Sequence, residues 1–276
     1  MADAIQITKS FPASRERTVL LELLKIARTL KQENIEAVIC GGWVPFLKEL
    51  AKHSQTTHSM SLDIDVLLRA KAREREAIDR IKNLLSEPLA FEPSKTDAFR
   101  YEKSIEGNVV QLDLLADLPR KNEDESLVKV QGATSSLQLC LADGGEDLGN
   151  HIETIQIHCQ EGESIETFEI TVPDAVGFLI LKTTVTKFRE KPKDPYDIYY
   201  YCRYSQDAAS IRQMLASSIQ EPAVARTVEA IKKMFTHEDS KWVEMVLDHM
   251  NVTGTDDRDR EARFVVRAVG RAIEGL

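Results

Sequence analysis

From about Arg15 to Glu33, apolar residues recur every three or four positions. Val19, Leu20, Leu23, Leu24, Ala27 and Leu30 form one stripe with charges opposite, the mark of a helix with one buried face. The rhythm then changes. Ala37–Cys40 is a short apolar strand, Trp43–Lys52 reads as a helix that tolerates Pro45 in its first turn, and Leu62–Leu68 reads as a strand. Ala72–Ser86 returns to helical spacing, with Ile78, Ile81, Leu84 and Leu85 on one side. Two strands follow, Ala98–Ile105 and Val109–Leu115, joined by a turn at Glu106-Gly107-Asn108. Pro119 and the charged run Arg120–Glu125 mark a boundary. Beyond it Leu127–Val130, Leu137–Leu141, Thr154–Cys159 and Thr167–Thr171 lean towards strand. From Val172 onward the pattern is almost entirely helical, with starts expected at Pro173 and Asp194-Pro195 and near Gln206, Glu221, Ser240 and Thr255. The order is α/β, then a small β-rich segment, then a helical half.

Composition narrows the class. The 276 residues suit one large domain or two modest ones, and 42% apolar residues supply an ordinary core. No apolar run is long enough to span a bilayer, and the first residues lack the pattern of a secretory signal, so a cytoplasmic protein without membrane contact is expected. The four cysteines (Cys40, Cys140, Cys159, Cys202) are scattered without a CxxC pair, which points to reduced thiols. A net charge of −9 argues against a general nucleic-acid binder, though a local basic patch is compatible with it.

The chemistry gathers in CGGWVPFLKELAKHSQTTHSMSLDIDVLLRA, residues 40 to 70. Residues two apart on a strand share a face. Leu62, Ile64, Val66 and Leu68 therefore turn towards the helices, and Asp63 and Asp65 turn together to the other side. Paired carboxylates repel unless a cation lies between them; a solvated sheet face is the plain alternative. The stretch VVQLDLLADLP repeats the design, with Val110, Leu112 and Leu114 on one face and Asp113 with Gln111 on the other. If the two strands are neighbours, three hard oxygen ligands converge as a magnesium site, with open positions for substrate phosphates. Gly41-Gly42 joins a strand to a helix start, where backbone N–H groups attract anions. A tight turn explains such a pair equally well.

Glycine pair, helix, DxD strand and a later single Asp together resemble the nucleotidyltransferase superfamily that includes DNA polymerase β, aminoglycoside nucleotidyltransferases and CCA-adding enzymes. In the C-terminal half, FLILKTTVTKFREKPKDPYDIYY is similar to the "LKL…R…KD..DL" segment of AbiEii-like nucleotidyltransferases, toxins of type IV toxin–antitoxin and phage-defence systems. The resemblance covers roughly residues 35–118 and 172–204. It implies an α+β fold, a nucleotidyltransferase-like mixed sheet with flanking helices followed by a helical C-terminal domain. The corresponding division is 1–118 as catalytic core, 119–171 as a β-rich extension and 172–276 as the helical domain. It also implies Asp63, Asp65 and Asp113 as metal ligands for Mg2+, one ion or two, and Gly41, Gly42 and position 43 at the nucleotide. Lys182 would contact the triphosphate, Asp197 is the late aspartate, and Arg189 and Asp194 belong to the same motif. A nucleoside triphosphate is the implied substrate; tRNA or a protein side chain is the implied acceptor, and a cognate antitoxin the implied partner.

On spacing alone, Lys182, Thr186 and Arg189 share one helix face and form either a phosphate clamp or a solvated face. Asp194 before Pro195 reads equally well as a helix N-cap, and Asp197 as a residue that favours the helix dipole. The chain departs from the family at Trp43, where a small hydroxyl residue is usual; an indole there would restrict or reshape the nucleotide pocket. Two alternatives stay beside the leading reading: a catalytically silent nucleotide- or partner-binding module, and a small-molecule nucleotidyltransferase of the antibiotic-modifying kind. The six histidines, His58 near the DxD strand included, have no zinc spacing.

Overall fold

A computed structural model describes residues 15–52, 61–119, 125–161, 164–205 and 208–276; His58 and Gln206 lie outside the described residues. The chain divides into two compact units. One comprises Met1–Glu146 with Ile152–Pro173, the other Asp147–His151 with Asp174–Leu276.

In the first unit, α1 (Arg15–Gln32) buries the stripe read from its spacing, Val19, Leu20, Leu23, Leu24, Ala27 and Leu30, together with Ile26. Strand β1 (Ala37–Ile39) leads through Gly41-Gly42 into α2 (Trp43–Ala51). Strand β2 (Asp63–Leu68) is followed by a 3-10 turn, Ala70–Arg73, and α3 (Arg75–Ser86). The helix expected from Ala72 begins later because Glu74 is extended and separates the two segments. A two-residue strand β3 (Glu92–Pro93) precedes β4 (Arg100–Ile105) and β5 (Asn108–Ala116). The β4–β5 turn consists of Glu106 and Gly107, both at positive φ (50° and 82°), the twist that a two-residue hairpin needs. Asn108 is already paired with Ile105.

The sheet runs β1-β2-β5-β4-β3, with β7 (Ser136–Leu141) beside the end of β5 and β6 (Leu127–Gln131) beside β7. It is mixed: β2 and β7 run parallel to β5, while β1 with β2, β4 with β5 and β6 with β7 are antiparallel. Strands β8 (Ile152–Glu161) and β9 (Ser164–Pro173) form a separate two-stranded ribbon, so the β-rich segment after residue 119 contributes to two different sheets. Ile64, Val66, Leu68, Val110, Leu112 and Leu114 join α1 and α3 in a single core, the one-sided packing that period-two alternation dictates; Leu62, expected on the same face, precedes β2 and is exposed.

The second unit is helical: α4 (Ala175–Val185), α5 (Lys193–Tyr200), a π turn at Tyr201–Ser205, α6 (Ala208–Ser217), α7 (Pro222–Met234), α8 (Lys241–His249) and α9 (Thr255–Ile273). Two starts shift from the sequence expectation. Pro173 ends β9, and Asp174 caps α4 by accepting from the Gly177 N–H. Helix α5 starts before Asp194, with Pro192 at the N-cap position, so Asp194 is not the cap. Among the described residues no helix is long and apolar enough to cross a membrane. None of the four cysteines is in a disulfide; burial pushes the Cys159 thiol up to about 11 and Cys202 to about 12.

Candidate active site

Register assembles the acids. Parallel pairing of β2 with β5 sets Asp65 opposite Asp113 and Asp63 opposite Gln111. Because alternate residues share a face, all three carboxylates emerge on the side of the sheet away from Ile64 and Leu112. Ligand oxygens of Asp63, Asp65 and Asp113 lie within 4.8 Å of one another. Asp113 is 6% exposed, the other two are half-buried, and the Ser61 hydroxyl donates to Asp63. Three hard anionic oxygens at this spacing fit a divalent cation such as Mg2+ or Mn2+ and do not suit a soft metal.

One cation of the protein already reaches this cluster. On the far side of β5, antiparallel pairing places Arg100 opposite Asp113. Its guanidinium donates two hydrogen bonds, from Nε to Oδ1 and from Nη2 to Oδ2, each 2.7 Å. The Asp113 hydrogen bond raises the arginine's pKa; burial opposes it, and the charges of Asp113, Asp97 and Asp63 add to the rise. Arg100 was not singled out by motif, but the hairpin contains the signal: a two-residue turn at Glu106-Gly107 fixes the register and puts Arg100 across from Asp113.

Gly41 has φ +71°, and a Cβ placed on it would sit 2.9 Å from the Asp65 carboxyl carbon and nearer still to Oδ2. Only glycine permits that approach. The residue that follows β1 tightens the same corner, since Cys40 N–H donates to the Asp65 carbonyl (2.9 Å). Trp43 turns away from the acid face. It is fully buried, edge-on to Phe46, and its indole N–H donates to the backbone carbonyl of Asp63 at 3.0 Å. The side chain at the departure from the family pattern thus braces the DxD strand from the core, leaving backbone groups at the helix start.

The second unit brings Lys182, Arg189, Asp194 and Asp197 into one ion cluster. Lys182 Nζ is 3.2 Å from Asp194 and 2.6 Å from Asp197. Arg189 donates twice to Asp194, both at 2.9 Å, and Lys193 pairs with Asp197 at 3.0 Å. Asp194 is 2% exposed, Asp197 0% and Lys182 7%. The expected shared face of Lys182, Thr186 and Arg189 does not form, because α4 ends at Val185; Arg189 lies beyond the helix and reaches Asp194 from there. Burial alone would depress the Lys182 pKa, but Asp197 and Asp194 outweigh it and the net shift is upward. Burial likewise opposes ionisation of Asp194, and the Arg189 hydrogen bond with the Lys182 charge holds its pKa below the ordinary value.

A mixed sheet with three convergent acids beside a glycine-led helix is the core of a nucleotidyltransferase. The profile of the family described as "Nucleotidyl transferase AbiEii toxin, Type IV TA system" matches residues 27–260, and the chain belongs to that family. No curated protein matches it. Among solved structures it is similar to an antigenic nucleotidyltransferase-like protein from Paracoccidioides brasiliensis, with 14% identity, a TM-score of 0.33 and coverage of 91% of this chain and 92% of the other.

Proposed function

We propose that this nucleotidyltransferase moves a nucleoside monophosphate from a nucleoside triphosphate to an acceptor hydroxyl, using Mg2+ held by Asp63, Asp65 and Asp113. The observation that carries the proposal is the convergence of those three carboxylates within 4.8 Å. When bound, the ion supplies Lewis-acid charge to phosphate oxygens. Gly41, Gly42 and the backbone of Trp43 offer N–H groups at a helix start to the same phosphates.

In the helical unit, Lys182 and Arg189 are the triphosphate cations, with Asp194 and Asp197 fixing their side chains. An ammonium has three donors. Lys182 donates to Asp194 and is ion-paired with Asp197 in this structure, and its third donor suits a phosphate oxygen. The upward shift of its pKa keeps the lysine charged. Membership of a type IV toxin–antitoxin family supports an antitoxin as partner; the reading adds action in the cytoplasm and tRNA or a protein side chain as the acceptor. The silent-module reading leaned on Trp43 and on the acidic charge of the chain; full burial of the indole removes the first of these supports.

Incubation with Mg2+, each labelled nucleoside triphosphate in turn, and total tRNA or a protein extract tests the reaction. Label passing to an acceptor, and absent with Asp63→Ala, is the expected result. Calorimetric binding of nucleotide without transfer to any acceptor overturns it in favour of the silent module.

A further inference from the structure

The Arg100–Asp113 clasp lies inside the acid cluster, and nothing in the reaction outlined above uses it. We propose that Arg100 and a divalent cation are alternative counter-charges for Asp113, so that Arg100 sets how tightly the cluster takes its ion. The inference rests on the reading of Asp63, Asp65 and Asp113 as a cation site.

Four observations carry it. Both oxygens of Asp113 accept from the guanidinium fork, at 2.7 Å each, so Arg100 draws on the same two ligand atoms that Asp113 would offer an ion. The Asp113 side chain is 8% exposed, and a carboxylate that buried needs a partner at all times. Asp113 is held by register between β2 and β4 on both sides, so its place does not depend on the arginine. Arg100 has somewhere else to go: its Nη1 is already 3.5 Å from Asp97, whose side chain is 41% exposed. A guanidinium next to three carboxylates also repels an incoming cation. Removing it therefore leaves a more negative cluster with its ligands in place, while the fold loses the charge that compensated Asp113.

The distinguishing experiment crosses substitution with cation, on the full chain without nucleotide. Thermal unfolding in EDTA is expected to drop by roughly 5 °C in Arg100→Gln. Saturating Mn2+ is expected to recover most of that loss and to raise wild type by less. Mn2+ affinity, read by electron paramagnetic resonance, is expected to rise on the order of tenfold in Arg100→Gln. Arg100→Lys keeps the charge without the fork and is expected to fall between the two; it carries the same comparison should Arg100→Gln not fold. A deficit of equal size with and without Mn2+, or an unchanged or weaker Mn2+ affinity, makes Arg100 a structural clasp and overturns the inference. Failure of wild type and variant alike to bind Mn2+ overturns the cation-site reading beneath it, a separate result.

Discussion

On the sheet, Asp63, Asp65 and Asp113 crowd within 4.8 Å, with Arg100 clasping one of them. In the helical unit, Asp194 and Asp197 lie buried among Lys182, Arg189 and Lys193. The first joins two strands distant in sequence, the second draws on the single stretch from Lys182 to Asp197, and their electrostatics run in opposite directions. The first concentrates like charge at two half-buried positions and one buried one, where repulsion opposes folding and a ligand of opposite charge relieves it. The second balances deeply buried charges against one another, so that each ion is held by its neighbours and loss of one strands the rest. A binding cluster stores unfavourable charge; a positioning cluster cancels it.

The largest test of that contrast is one chemical change made in both places. Asp197→Asn is expected to cost about 3–5 kcal/mol in urea unfolding, because Lys182 would be left buried with a single acid. Asp63→Asn is expected to leave stability unchanged or higher in EDTA while transfer falls roughly a hundredfold or more. Equal destabilisation by the two would erase the distinction.

Gly41→Ala probes the acid cluster from its backbone and should cost about 1–3 kcal/mol through strain at positive φ, with weakened Mn2+ binding because the new methyl displaces Asp65. Gly107→Ala is the control: it has φ +82° but no atom within 4 Å of an added Cβ. The excess of the first over the second isolates the Asp65 contact, and no excess removes it.

The smallest effect is in pH. The folded pKa of Asp194 lies below its ordinary 3.8, net of a burial effect in the opposite sense. Its contribution is therefore present above the unfolded pKa and lost as pH falls through the lower folded value. Lys182 is raised above 10.5, so its contribution is present below that value and lost as pH rises through the folded pKa. Unfolding midpoints should decline at both extremes, and Asp194→Asn should flatten the acid limb alone. An acid limb of unchanged slope in that variant assigns the decline to other carboxylates.

The two clusters also differ in how far a sequence exposes them. Alternation along DIDVLL and VVQLDLL gave the facing of Asp63, Asp65 and Asp113 directly, since a strand's geometry leaves only two sides. Arg100 needed one more step, the turn register, because cross-strand pairs depend on where the hairpin closes. Lys182 was legible as a residue and illegible as an environment: helical spacing assigns a face without saying whether that face meets water or two aspartates. Trp43 shows the same limit. Its position at the glycine turn suggested the pocket, while its rotation about the helix start, set by packing against Phe46 and the Asp63 carbonyl, took it into the core. Asp194-Pro195 was a sound local signal for a helix start, overridden by a tertiary network that recruits Asp194.

The clasp also has a place in time. Arg100 and Asp113 are 13 residues apart across a two-residue turn, whereas Asp65 reaches Asp113 only when a long parallel crossover closes. Local hairpins form in microseconds and distant parallel pairings far later. During folding, then, the last acid strand is expected to arrive at a carboxylate that has already been neutralised. Pulse-labelled hydrogen exchange would register that order as protection of β4 and β5 amides before those of β2. In this sense Arg100 serves as an escort for the nascent sheet before it serves the finished one.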